Sequence, residues 1–481
     1  MKELLHNVRS EEVAIESSTE SISYKCLFDR VNELGIWLKA QNVSSVCIYA
    51  QNSIDWIIVD LACQQSEVVF TPIPLFFTDI QFNSLIQSVK PNIIFSDNIL
   101  PFENGDSSHN LFLQHYKLSQ GERAEAPSGT SKITYTSGST GQPKGVCLSK
   151  ANQYKVASSL VNAIGLKKPR HLCLLPFPTL LENIAGIYSP LISGGTVIVL
   201  SDKERGFQGS RLINPAQLLS CISDYQPDSL ILVPELLQVL IMGVDQGWTP
   251  PKSLKFIAVG GSKVAEVLIA KARECQLPVY QGYGLSECGS VVSLCTPKHD
   301  TRNSAGCLLP HLTACVENGE LVVTGNTFLG YLENKNSWYP RTVHTGDIAT
   351  IKDNTIFING RLKNIIINSF GRNISPEWVE SEMLSTGYFN QAVVLGEGKP
   401  FCLAIVYSNS PNASPELTQN IIEQINGSLP DYAQIKAFIN LEKPLEFEKG
   451  LLTSNGRPKR VEILNHFQSQ IENTYINTLI A

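Results

Sequence analysis

Long apolar runs are missing from this sequence. Its most hydrophobic stretch, 172–200, is broken by Pro176, Pro178, Glu182, Asn183 and Pro190. A membrane span needs about 18 or more nearly uninterrupted apolar residues, so integral membrane insertion is not expected. An excess of positive charge is missing too: 38 Lys and Arg face 44 Asp and Glu, leaving a formal charge of −6 and no broad field for nucleic acid. The twelve cysteines contain no Cys-x-x-Cys pair, and the eight histidines form no His-Glu-x-x-His or similar ligand set. A disulfide framework and a zinc site are therefore not expected, and the thiols read as small buried groups in a reducing cytoplasm. The opening MKELLHNVRSEEVAIE has no continuous apolar segment of signal-peptide length.

What is present is a chain of 481 residues, 43% of them hydrophobic and 8% aromatic, long enough for two or three domains with a substantial core. Helical spacing over 24–40 puts Leu27, Val31, Leu34 and Leu38 on one side. Short apolar runs at 46–50, 68–72 and 93–95 alternate with helical segments, as do runs at 172–175, 197–200, 229–233 and 256–259. That rhythm predicts an α/β fold with mostly parallel sheets covered by helices. Residues 102–131 read as a long polar connection, and 305–360 as a small β subdomain of short strands and turns. The expected architecture is a large N-terminal domain of layered α/β subdomains, residues 1–362, followed by a small mobile α+β domain, residues 363–481.

The sharpest local signal is Tyr135-Thr-Ser-Gly-Ser-Thr-Gly-Gln-Pro-Lys-Gly145, which follows a strand-like run. Gly138 and Gly141 permit tight backbone turns, Ser137, Ser139 and Thr140 offer hydroxyls, and Lys144 adds a cation. Dense donors beside positive charge suit a polyphosphate. No Gly-Lys-Ser/Thr follows, so this is not a Walker A loop. Nor does Gly282-Tyr283-Gly284 have the spacing of a dinucleotide fingerprint.

The stretch resembles the signature loop of the adenylate-forming superfamily, which includes acyl-CoA synthetases, aryl-CoA ligases, luciferases and adenylation domains of peptide synthetases. Gln281-Gly-Tyr-Gly-Leu-Ser-Glu-Cys-Gly289, His344-Thr-Gly-Asp-Ile348 and Asn359-Gly-Arg-Leu-Lys-Asn364 resemble its later motifs in the expected order. The resemblance implies activation of a carboxylic acid by ATP, with pyrophosphate release, and then attack by a thiol. It assigns Thr136, Ser137, Gly138, Ser139, Thr140, Gly141 and Lys144 to the phosphates, with Tyr283 and Gly284 at the adenine. Ser286 is assigned a phosphate contact, Glu287 the Mg²⁺ ion, and Asp347 with Arg361 the ribose. Lys363 falls at the family's hinge. The catalytic lysine normally follows the glycine of the tail motif, but Leu452-Thr-Ser-Asn-Gly-Arg-Pro-Lys-Arg460 has Arg457 there and Lys459 two residues on. Both are candidates, and an arginine head is not equivalent to an ammonium.

The acid is expected to lie among Asn183, Gly186, Val233, Gly260 and Gly261. Leu180, Leu181, Ile184 and Ile187 are apolar enough to line an acyl tunnel. The segment 176–186 is similar to that of long-chain acyl-CoA synthetases, which points to a fatty or hydrophobic acid. The thiol would belong to CoA or to the phosphopantetheine of a separate acyl carrier protein. The alternatives are an aryl acid ligase and a catalytically weak nucleotide-binding regulator.

Overall fold

A computed structural model describes residues 11–102, 111–118, 124–136, 143–209, 211–408, 410, 413–453 and 456–480. Two compact units are present. The first runs to Gly261 and takes in Ala272–Ala314 and Val322–Val343, while the second comprises Ser262–Lys271, Cys315–Leu321 and the chain from His344 onward.

The described residues of the first unit include two large sheets. In one, the parallel strands Val69–Pro72, Ser45–Tyr49 and Ile93–Ser96 lie side by side, and Thr130–Thr136 joins parallel to Val69–Pro72. Antiparallel strands extend both sides: Lys144–Ser149 and then Gly330–Tyr331 on one, Gln114–Lys117 on the other. Val46, Cys47 and Ile48 are wholly buried, as expected of a strand covered on both faces. Helix Tyr24–Ala40 starts where Ser23 accepts a hydrogen bond from Cys26 N–H, and it buries Leu27, Val31, Leu34 and Leu38. It packs on helix Ile54–Ser66, where Ser66 Oγ donates to Gly35 O at 3.0 Å.

The other sheet has parallel strands Val279–Tyr283, Phe256–Val259, Ser229–Leu232, Arg170–Leu172, Thr196–Ile198 and Val13–Glu16 at its centre. The strand expected at 172–175 instead ends at Leu172. Beyond it, side chains replace ladder partners: Asn52 Nδ2 donates to Leu175 O at 2.8 Å and Glu182 Oε2 accepts from Leu175 N–H at 3.3 Å. Residues 182–188 then form a π-helix, a feature absent from the sequence reading. Within the polar connection expected at 102–131, Gln114–Lys117 is a strand, paired antiparallel with Ile93–Ser96.

In the second unit, strand residues up to Lys352 pair antiparallel with Thr355–Arg361, setting Asp347 opposite Arg361. A three-stranded sheet follows, made of Gln391–Leu395, Cys402–Tyr407 and Ile435–Asn440. One face buries Val379, Met383 and Ile422 against Val394 and Ala404, and the other buries Ile463, Ile471 and Tyr475 against Val393 and Leu403. The α/β class and the small α+β C-terminal unit are as read from sequence. None of the described helices is long and apolar enough to cross a membrane.

Candidate active site

Strands Thr130–Thr136 and Lys144–Ser149 form the two arms of a hairpin whose register sets Thr136 opposite Lys144. Ser137, Gly138, Ser139, Thr140 and Gly141 lie outside the described residues. Strand Gly330–Tyr331 adds to the hairpin's edge, with Tyr331 opposite Val146. This brings the Tyr331 ring beneath exposed Lys144, whose Nζ lies 5.4 Å from the ring centroid. The Tyr331 hydroxyl donates to Glu287 Oε1 at 2.8 Å. Burial, followed by the Glu287 charge, pushes the phenol well above its ordinary range, so it remains a protonated donor. Sequence reasoning missed Tyr331, because a two-residue edge strand carries no periodicity that could reveal it.

Glu287 sits in the 3₁₀ turn Ser286–Cys288, held by Phe328 N–H donating to Glu287 O at 2.7 Å and by burial of Cys288. Just before it, Tyr283 closes strand Val279–Tyr283 opposite Ser293. Gly284 must be glycine: a Cβ there would lie 1.6 Å from Ser290 O. Thus Lys144, Tyr331 and Glu287 form one chain of cation, aromatic ring and carboxylate. A carboxylate with one oxygen oriented by a phenol is a suitable hard ligand for Mg²⁺, and Lys144 supplies positive charge beside it.

The acid-side candidates divide. Val233, Gly260 and Gly261 lie together at the C-terminal ends of adjacent parallel strands, where open α/β sheets place ligands. Val233 Cγ1 is 3.7 Å from where a Gly261 Cβ would lie. Asn183 and Gly186 are buried elsewhere. Asn183 Nδ2 donates to Asp60 Oδ2 at 2.9 Å, and its Oδ1 accepts from Lys132 Nζ. A Cβ on Gly186 would come within 2.5 Å of Glu182 Oε1 and 2.9 Å of His171 Nε2. These two positions serve interior packing, since the π-helix turns their faces onto buried polar groups. Leu180, Ile184 and Ile187 are likewise core residues, with Ile184 and Ile187 at 0% exposure.

The π-helix also closes a donor cluster invisible to motif spacing. His171, Cys173 and Glu182 lie with their ligand atoms within 4.8 Å of one another, all buried. His171 Nε2 is 3.2 Å from Glu182 Oε1, and its Nδ1 is 2.9 Å from Ser229 Oγ. Burial and then Glu182 push the Cys173 thiol well up, as burial does for Cys63, so these thiols stay protonated.

In the second unit Asp347 is 2% exposed and its Oδ1 receives Arg361 Nε at 2.8 Å, so the two ribose candidates form an ion pair. Asp347 N–H donates to Thr345 Oγ1, which in turn donates to Leu321 O. Beside them, His344 Nδ1 is 3.0 Å from Glu320 Oε2, and Glu320 Oε1 accepts from Gly346 N–H. Burial raises the Glu320 carboxyl, but these two hydrogen bonds outweigh it and leave the group below its ordinary range. Lys363 occupies the 3₁₀ turn Leu362–Asn364. Arg457 is exposed on a turn where its N–H donates to Thr453 Oγ1 and Thr453 N–H donates to its carbonyl. Lys459 is half-buried, its N–H donating to Leu451 O, and it immediately precedes helix Arg460–His466.

The profile of the AMP-binding enzyme family matches residues 6–333, and that of the AMP-binding enzyme C-terminal domain matches residues 363–478. Among curated proteins, a 2-succinylbenzoate–CoA ligase of Staphylococcus aureus (strain Newman) is 26% identical over 428 residues, covering 80% of this chain and 84% of that protein. The anthranilate CoA ligase AuaEII, solved in complex with anthranoyl-AMP, superposes with a TM-score of 0.80 at 16% identity, covering 96% of this chain and 95% of that one. The O-succinylbenzoate coenzyme A synthetase of Bacillus subtilis, in complex with ATP and magnesium ion, has a TM-score of 0.74 at 21% identity, covering 94% and 96%. These neighbours share the fold.

Proposed function

The chain belongs to the AMP-binding enzyme family, and from that premise we propose that it joins a compact aromatic acid to CoA through an acyl-adenylate. The carrying observation is the burial of Leu180, Ile184 and Ile187 in the core. Side chains that line a long acyl tunnel need a free face, and these three have little or none, with Leu181 alone of the four candidates half-buried, which favours a short acid near Val233, Gly260 and Gly261. The names of the relatives, ligases for 2-succinylbenzoate and anthranilate, support the same preference over the fatty acid expected from sequence. They also support CoA over a carrier protein, and a cytoplasmic setting suits a CoA-dependent reaction.

A carboxylate oxygen attacks the α-phosphorus of ATP, and the bond to pyrophosphate breaks. The CoA thiolate then attacks the acyl carbon, and AMP leaves. In this reading Thr136, Ser137, Gly138, Ser139, Thr140, Gly141 and Lys144 bind the phosphates, while Tyr283 with Gly284 meets adenine. Ser286 takes a phosphate contact, and Asp347 with Arg361 takes the ribose. Glu287 would hold Mg²⁺, which when bound neutralises charge developing on the phosphates. Lys363 is the hinge. Arg457, exposed on its turn, is better disposed than half-buried Lys459 to reach an anion.

The test is pyrophosphate release with MgATP over benzoate, anthranilate, 2-succinylbenzoate, octanoate and palmitate, followed by thioester formation with CoA. An aromatic acid is expected to give the highest kcat/KM. Preference for palmitate refutes the compact pocket. Tight MgATP binding with no turnover of any acid favours the regulator reading, for which the Arg457 departure is the supporting feature.

A further inference from the structure

Beneath the hairpin lies a polar node with no assigned role. Lys132, on the arm Thr130–Thr136, is wholly buried, and its Nζ donates to Asp60 Oδ2 at 2.9 Å and Tyr188 OH at 3.0 Å, as well as to Asn183 Oδ1. The same Asp60 oxygen accepts from Asn183 Nδ2 and Tyr188 OH, each at 2.9 Å. Asn183 and Tyr188 are five residues apart on the π-helix Glu182–Tyr188. In an α-helix, residues five apart point about 140° away from each other. Closing the turn one residue wider brings them back to a shared face, which lets both reach one carboxylate oxygen.

A second branch reaches the hairpin's other arm. Tyr188 OH accepts from Gln64 Nε2, which also donates to Gln153 Oε1 at 2.9 Å. Gln153 Nε2 donates to Ser131 Oγ at 3.0 Å and to Ser149 O at 3.2 Å. Ser131 and Lys132 lie on one arm and Ser149 on the other, so the node grips both. Gln64 and Gln153 are buried too.

Stability alone does not call for this arrangement, because a buried ion pair is often matched or exceeded by apolar residues of similar volume. What directional bonds add is a defined register. We infer that Tyr188 and Asp60 are positioning residues for the nucleotide-binding hairpin, fixing at its base the alignment that sets Thr136 opposite Lys144. The inference rests on the reading that this hairpin binds ATP.

The test is Tyr188→Phe, which removes one hydroxyl and no ring, together with Asp60→Asn and a control, Ser229→Ala. The control loses a comparably buried bond, Ser229 Oγ to His171 Nδ1 at 2.9 Å, away from the hairpin. Tyr188→Phe is expected to weaken MgATP binding by about fivefold to tenfold, measured by calorimetry, and to raise the ATP KM equally with kcat within about threefold. Amide exchange in 130–136 and 144–149 should quicken. Ser229→Ala should lower Tm yet leave MgATP affinity unchanged. Tyr188→Phe with unaltered affinity and a lowered Tm overturns the inference, as does equal weakening by the control. Wild-type protein that binds no MgATP overturns the ATP reading itself. Asp60→Asn is secondary, because it leaves Lys132 less well paired, and Tyr188→Phe decides the matter if it does not fold.

Discussion

Replacing Arg460 by Met should loosen the second unit in a pH-dependent way. Glu380 is 7% exposed and accepts three hydrogen bonds: Arg460 Nη1 at 2.6 Å, Arg460 Nη2 at 2.7 Å, and Val394 N–H at 2.7 Å. Burial raises the Glu380 carboxyl above its usual range, with Arg460 opposing that rise. Arg460→Met removes the opposition and two charge-assisted bonds, leaving a buried carboxylate on one backbone amide. Breaking such a pair from one side costs about 3–5 kcal/mol. At about 1.4 kcal/mol per power of ten, amide protection in strands Gln391–Leu395 and Cys402–Tyr407 should fall by about two to nearly four powers of ten. The sign with pH follows from which form the fold prefers. A carboxyl whose folded pKa is raised favours folding in its protonated state, so its contribution is present at low pH and lost as pH rises through the folded value. Because the variant raises that value further, its deficit should be smaller at pH 5.5 than at pH 8. Glu380→Gln in the Arg460→Met background should recover part of the loss at pH 8. Hydrogen exchange of the full chain, corrected for intrinsic rates, reads all three quantities. A deficit below about 1 kcal/mol, or one that is flat between the two pH values, refutes the argument.

Glu287→Ala should reduce pyrophosphate release by about a hundredfold or more at saturating ATP, and unchanged release removes Glu287 from the metal. Tyr331→Phe keeps the ring under Lys144 but frees the Glu287 carboxylate, so half-saturation by Mg²⁺ should rise about threefold to tenfold in a magnesium titration of turnover. Arg457→Ala should lower adenylation about fiftyfold while Lys459→Ala changes it less than about threefold, and Arg457→Lys, which restores the lysine usual in the family's tail motif, should keep more of the rate than Arg457→Ala. The reverse order in single-turnover assays transfers the role to Lys459. Asp347→Asn should raise the ATP KM about tenfold through weaker ribose acceptance, with an equal loss for 2′-deoxy-ATP ruling out that contact.

The parallel strands were legible because burial on both faces forces continuous apolar runs: Val46–Ile48 and Phe256–Val259 announce themselves. Gln114–Lys117 did not, since an edge strand with buried His115 and Tyr116 between exposed Gln114 and Lys117 has neither an apolar run nor strict alternation. The π-helix was illegible for another reason. Its sequence, Glu-Asn-Ile-Ala-Gly-Ile-Tyr, fits an α-helix, and the wider turn follows from where Asp60 and His171 sit in space. Tertiary partners chose the register.

The same distinction separates the site residues. Lys144, Tyr283, Glu287, Asp347 and Arg361 were proposed from local motifs, whose spacing and residue type keep candidate groups within a few positions, and the structure places Tyr331 between Lys144 and Glu287 and pairs Asp347 with Arg361. Asn183 and Gly186 were assigned to the acid by segment, and segment alone cannot tell which way a side chain faces. Asn183 faces inward because Lys132, to which the sequence reading gave no role, carries a buried charge that must be paired. Burial lowers the Lys132 pKa while Asp60 holds the charge in place. Such a charge within a strand of this hairpin is costly unless its partners are fixed, and those partners come from the Ile54–Ser66 helix and the π-helix. A substitution at Asn183 should therefore register first in the hairpin, as weakened MgATP binding, and only secondarily in the choice of acid. An Asn183→Ala variant with an altered acid preference and unchanged MgATP affinity would return that residue to the pocket.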